Sequence, residues 1–177
     1  MDKLRIKARL NKNKNAEASA GIIDSQTVRW GNNRSLKSVD GNKKIKGIKR
    51  HIVVDKNGWL LAIMVSVAHV HDSKAADLLM RTLKERLIGI KLLIADGGYR
   101  GNLAEKIKTK FGYMLQIILR SDKRSNDFKP LPMRWVVKRT FAWFDNDRRL
   151  CRNYELLIDS AETMVKIATI KLLLYKI

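Results

Sequence analysis

Two short apolar runs that each end in a carboxylate constrain this chain more than any other feature. Gly21-Ile22-Ile23-Asp24 and Lys91-Leu92-Leu93-Ile94-Ala95-Asp96 both read as buried strands whose last residue emerges at a sheet edge. Ahead of the second run, Asp72 or Ser73 can cap a helix in which Ala75, Leu79, Leu83 and Leu87 share one face until Gly89 stops it. A helix leading back into a buried strand implies parallel strands joined by a right-handed crossover. Between the first run and that helix, residues 51–54 and 60–67 are β-branched and apolar. Their link, Asp55-Lys56-Asn57-Gly58, contains the Asn-Gly pair that favours a hairpin, so two antiparallel strands are expected.

Further along, residues 103–111 read as a second helix and 114–119 as a fifth strand. Residues 121–132 hold both prolines and read as a loop. A helix over 134–150 would put Val137, Phe141 and Phe144 on one face. Asp159-Ser160-Ala161-Glu162 has the form of a capping box opening a last helix, with Met164, Ile167, Ala168 and Leu172 facing inward. Three antiparallel strands, a helix and then parallel strands is the order of an α/β, RNase H-like mixed five-stranded sheet flanked by helices, provided the fourth strand pairs with the first. The first twenty residues show no sustained period and read as a basic linker or tail, leaving residues 21–177 as one folded core.

Charge narrows the partner. The chain of 177 residues carries 37 Lys and Arg against 17 Asp and Glu, a net charge of +20 that attracts polyanions, nucleic acid first among them. Residues 29–50 read as a basic loop with eight basic residues and one acid, Asp40. From this loop Lys43, Lys44, Lys46, Lys49 and Arg50, and from the late helix region Arg139, Arg148 and Arg149, are the candidates to follow a DNA backbone through phosphate contacts. Trp30, Trp135 and Trp143 could stack on exposed bases, although the late helix also needs core residues. A lone cysteine, Cys151, makes no internal disulfide, the N-terminus has no signal-peptide core, and residues 164–177 are interrupted by Lys166, Lys171 and Lys176. A cytoplasmic, nucleoid-associated protein with no membrane partner is expected.

The proposed pairing brings Asp24 and Asp96 together at the carboxyl ends of neighbouring strands about 4.8 Å apart. Two carboxylates so placed can flank divalent cations, and two-metal phosphoryl transfer uses such a pair to activate the attacking oxygen and stabilise the leaving one. Oxygen ligands select Mg2+ or Mn2+ over zinc. Singly, each aspartate is explained by the habit of Asp to end strands; together, in so basic a chain, they favour chemistry. Gly97 and Gly98 allow close backbone approach, which serves a strand-end turn equally well. His69, His71 and Asp72 form a short cluster that lacks further Cys or His ligands and reads as strand-end packing, with Asp72 at the sheet edge two strands from Asp24.

Several strings now resemble one family in order: Gly21-Ile22-Ile23-Asp24-Ser25-Gln26, Lys44-Ile45-Lys46-Gly47-Ile48-Lys49-Arg50-His51, Ala95-Asp96-Gly97-Gly98-Tyr99, Arg134-Trp135-Val136-Val137 and Arg139-Thr140-Phe141-Ala142-Trp143. They resemble insertion-sequence DDE transposases of the IS-five group. The resemblance implies that Asp24 and Asp96 are catalytic metal ligands, that an intact site holds two Mg2+ (or Mn2+) ions with a glutamate on the late helix, and that the chemistry is phosphodiester cleavage and strand transfer at element ends and target DNA. The family string Trp-Val-Val-Glu-Arg-Thr-Phe stands here as Trp135-Val136-Val137-Lys138-Arg139-Thr140-Phe141. Lys138 thus occupies the third catalytic position, and an ammonium there repels metal, so impaired activity is expected. Asp145 lies on nearly the same face but about 10.5 Å further along the helix; Asp147 and Glu155 read as surface charges.

The family's N-terminal region for recognising element ends is expected to be missing, residues 1–20 being its remnant. Either a truncated copy or the second frame of a frameshifted gene would account for that. The expected partners are DNA, as element ends and target, and further copies of this chain or intact transposase in a multimer. The competing readings are a non-catalytic DNA-binding remnant or regulator of intact transposase, and a general basic nucleic-acid binder, against which the ordered strand-end aspartates argue.

Overall fold

The computed structural model describes residues 1–32, 34–86, 89–119 and 133–177; the expected loop 121–132 and Leu87 lie outside them. The elements are α1 (Asp2–Leu10), β1 (Ala20–Arg29), β2 (Ser38–Asp40), β3 (Ile45–Val54), β4 (Leu60–Val67), α2 (Asp72–Arg86), β5 (Leu92–Asp96), a 3-10 turn (Gly97–Tyr99), α3 (Leu103–Phe111), β6 (Met114–Ile118), α4 (Arg134–Asp145) and α5 (Ile158–Leu174).

The sheet is mixed and RNase H-like. β3 pairs antiparallel with β1 along one edge and with β4 along the other, β1 pairs parallel with β5, and β5 pairs parallel with β6. This is the predicted pairing of the first and fourth expected strands. A sixth strand was not expected: β2 pairs with residues 45–47 on the edge of β3 that β4 uses further along. The stretch read as a basic loop therefore holds a short hairpin, and β1 runs on to Arg29 rather than ending at Asp24. β3 escapes a hydrophobicity count because Lys49 and Arg50 are charged although buried.

Alternation along β1 and β3 divides the interior. Ile22, Val28, Ile48, Ile52 and Val54 face α4 and α5, where they meet Val137, Phe141, Phe144 and Val165. Ile23, Val53 and Leu93 face α2 and α3, meeting Leu79, Met80, Leu83, Ile107 and Phe111. Covering both faces explains why the central strands show continuous burial instead of a polar–apolar rhythm. At the β3–β4 turn Gly58 adopts φ 83, a left-handed conformation that glycine adopts at no steric cost.

The expected N-terminal tail is instead partly helical. In α1, Ala8 is buried against Trp59 and Leu173, and Arg5 donates to the Leu60 carbonyl at 3.2 Å. Arg9 pairs with the fully buried Asp55 carboxylate. Charge pairing supplies what apolar periodicity lacks here, so the element was invisible to a hydrophobic pattern. The expected capping box is also absent: α5 starts at Ile158 with no side-chain cap. Glu162 instead accepts the Val65 N–H at 2.9 Å, satisfying a donor on the outer edge of β4. α4 ends at Asp145, five residues before the expected end.

Candidate active site

Register places the two aspartates. Ile22 stands opposite Ile94 in the parallel pairing, so Asp24 and Asp96, two residues further on each strand, reach the same edge and the same face. Both line one cleft with Ile22, Ile94, Ile118, Arg134 and Val137. The inferred juxtaposition of the two aspartates is therefore present, with Asp24 lying within β1 and Asp96 ending β5.

What faces the aspartates is cationic. Lys138 Nζ lies 2.9 Å from Asp24 Oδ2, and Arg134 Nη2 lies 3.2 Å from Asp96 Oδ2. The two cations are four residues apart on α4, one helical turn, so both project from one face. Lys138 was singled out from sequence; the role of Arg134 was not, although its i, i+4 spacing to Lys138 carried the signal. Asp24 is 6% exposed, and burial raises its carboxyl above the ordinary value, with the Asp96 charge adding to the rise. The Lys138 ammonium and the Ser25 N–H pull in the other direction without overcoming it.

Asp96 Oδ1 accepts the Gly98 N–H at 3.0 Å. A Cβ on Gly98 would stand 3.1 Å from that oxygen and 3.6 Å from Asp72 Oδ2, so this glycine lets two carboxylates flank the turn. Asp72, expected as a peripheral residue, opens α2. Lys49 Nζ lies 3.4 Å from its Oδ1 and His51 Nδ1 lies 3.7 Å from the same oxygen. Tyr99 is buried beside this edge, and its phenol is held well above its ordinary value by burial, then by the charges of Asp72, Asp24 and Asp96. His69 and His71 are both exposed. They follow the end of β4 rather than lying within it, and His71 bonds Ser73 Oγ at 2.8 Å in opening α2. Strand-end packing was expected of them; both instead lie exposed between β4 and α2.

His51 is fully buried and bonded to Ser66 Oγ at 2.9 Å. Burial, aided by Lys49 and opposed by Asp72, lowers its pKa from 6.5 to about 4. Because the folded pKa lies below the unfolded one, the unfolded chain takes up the proton first as pH falls. Stability is therefore complete above about pH 6.5 and declines toward pH 4, by an amount on the order of 2–3 kcal/mol. Urea unfolding between pH 7 and pH 4.5 should show this decline, and His51→Gln should flatten it.

The eight residues expected to contact DNA separate into two sets. Lys43, Lys44, Lys46 and Arg148 are exposed. Lys49 is corrected to a structural role: it is 6% exposed and donates to the Val70 carbonyl at 3.0 Å. Arg50, 2% exposed, faces the α4 side of the sheet and is likewise enclosed. Period-two alternation inside β3, where a loop was expected, carries these two residues into opposite interior faces. Arg139 is half-buried, donates to the Asn57 carbonyl at 2.9 Å and sits between the rings of Trp135 and Trp143, at 4.7 and 4.9 Å from their centroids. Arg149, though exposed, pairs with Glu155. Asp145 accepts both bonds of the Gln26 amide at 2.8 and 2.9 Å, and Asp147 bonds the Arg149 N–H at 3.1 Å.

Fold and site together define an RNase H-like protein of the DDE class. The chain belongs to the family described as the transposase DDE domain, whose profile matches residues 15–170, and the function this supports is that of a transposase. A Burkholderia cepacia protein named as a transposase for insertion sequence element IS402 is 29% identical over 153 residues, covering 82% of this chain and 70% of that relative. Among solved structures, a chain of the simian T-cell lymphotropic virus intasome in complex with the PP2A regulatory subunit B56 gamma aligns with a TM-score of 0.53 at 14% identity. The alignment covers 86% of this chain and 47% of that one, and it shows a shared fold. No helix among the described residues is long and apolar enough to cross a membrane.

Transposases of this family use divalent metal ions. The residues present here do not fit a two-ion centre. Each aspartate already has a cationic side chain as its partner, and among the described residues no group of three His, Cys, Asp or Glu side chains could hold a metal ion.

Proposed function

We propose that this chain is the catalytic core of an insertion-sequence transposase that engages DNA but is impaired in metal-dependent phosphodiester cleavage and strand transfer. The observation that carries the reading is the 2.9 Å contact between Lys138 Nζ and Asp24 Oδ2. At the position of the family's third carboxylate stands an ammonium, bound to the first carboxylate. Replacing an anion by a cation changes the local charge by two units and opposes a divalent ion in the same space.

The substrate is DNA, as element ends and target, and the assembly on it is a multimer of this chain or a mixed multimer with intact transposase, in the nucleoid. The charge of +20 supports this, as do the exposed Lys43, Lys44, Lys46 and Arg148. Residues 21–177 carry the catalytic core, against which α1 packs through Ala8 and the Arg9–Asp55 pair. The second reading, a non-catalytic DNA-binding regulator of intact transposase, is favoured by the same lysine contact, since a protein that holds DNA without cutting it competes with one that cuts.

Incubation of supercoiled plasmid with the native chain in Mg2+ and in Mn2+, beside an Asp24→Asn control, tests the impairment. Nicking no faster than the control is expected. Nicking by the native chain that the control lacks would show a live centre and overturn the proposal.

A further inference from the structure

We infer that Lys138 and Arg134 act as built-in counter-charges for the paired aspartates, so that a DNA backbone seats across this centre with no divalent cation present. This rests on the reading of the chain as a DNA-engaging transposase core and deepens it by stating what the altered centre still does.

The argument is electrostatic. With Asp24 and Asp96 each beside one cation, at 2.9 and 3.2 Å, the four side chains sum to no net charge. With a glutamate at position 138, the same four positions would carry two net negative charges, and a phosphodiester would approach them only once cations had neutralised them. The present chain has moved that neutralisation into its own covalent structure.

Exposure separates these cations from the enclosed ones. The Lys138 side chain is 51% exposed and that of Arg134 is 26% exposed, against 8% for Lys49. An ammonium has three donors and a guanidinium five, so each can keep its aspartate and still turn other N–H groups toward an incoming phosphate. Tethering has a second consequence. A free divalent ion is lost to a chelator, whereas two cations fixed one turn apart on α4 are not.

Fluorescence anisotropy of a labelled DNA duplex, titrated in EDTA and again in Mg2+ over a series of KCl concentrations, tests the inference. The native chain should bind comparably in both buffers, Mg2+ acting only as a competing counter-ion. Lys138→Glu should bind about tenfold more weakly in EDTA, with a shallower salt dependence, and should regain most of that loss in Mg2+. Lys138→Gln, which removes the cation without adding an anion and is sterically mild at a half-exposed position, should weaken binding in EDTA by a smaller factor. It should show less recovery in Mg2+ than Lys138→Glu. A native chain that binds only with Mg2+, or a Lys138→Glu chain as tight as the native one in EDTA, would overturn the inference while leaving DNA engagement standing. Absence of duplex binding by the native chain in both buffers would instead sink the DNA-engaging reading, and this inference with it.

Discussion

Calorimetric titration of Mn2+ into the Lys138→Glu chain is expected to give a binding isotherm that the native chain lacks, a gain in affinity of at least about 100-fold. In the native chain an incoming divalent ion must displace an ammonium held 2.9 Å from Asp24, and the displaced charge remains tethered nearby to repel it. The glutamate reverses both effects at once, supplying a third oxygen ligand of the hard type that Mn2+ and Mg2+ take. Asp24 would then be released to the metal, which also relieves its burial as a charge. Combining Lys138→Glu with Asp24→Asn should abolish the new binding, because the first strand's carboxylate is then gone. Equal Mn2+ affinity in the native and Lys138→Glu chains would mean that another acid completes the site. Asp145 would be the first to examine, although it is committed to Gln26.

The second large effect concerns the fold. Asp55→Ala is expected to cost about 3–5 kcal/mol in urea unfolding, since it strands a buried arginine without its counter-ion. Asp55 is fully buried and Arg9 is 8% exposed. The same carboxylate accepts the N–H of Asn57 at 2.8 Å and of Trp59 at 3.0 Å, so it holds the β3–β4 turn as well as α1. Arg9 in turn donates to the carbonyls of Asn15 and Glu17 at 2.7 and 3.0 Å, tying down the segment that leads into β1. Loss of one partner therefore loosens three pieces of chain together. A double variant, Arg9→Met with Asp55→Ala, should recover part of the loss because no unpaired charge remains buried. An Asp55→Ala chain within about 1 kcal/mol of native stability would contradict this account, that being the range of an exposed ion pair.

Lys138 and Arg134 also show where reading a sequence stops. The reading of Lys138 as a replaced acid rests on a string of seven residues; that its ammonium reaches Asp24 and that Arg134 takes Asp96 depended on how α4 lies across the sheet. Lys49 and Arg50 make the opposite case. Both looked like loop residues free to meet phosphate, and both are interior because β3 begins at Ile45. Their burial follows from pairing with β1 and β4, contacts distant along the chain, and no local pattern of lysine and glycine encodes it.

By itself the sequence determined most of the order of elements after residue 20, the two apolar runs that carry Asp24 and Asp96, and the family. These depend on local periodicity, turn chemistry and residue identity, which are present in any short window of the chain. Only the tertiary structure decided which charges are paired, which are enclosed, and that α1 belongs to the folded body. Those outcomes are set by burial and by long-range distances of a few ångströms, where desolvation and Coulomb attraction nearly balance and position alone decides which prevails.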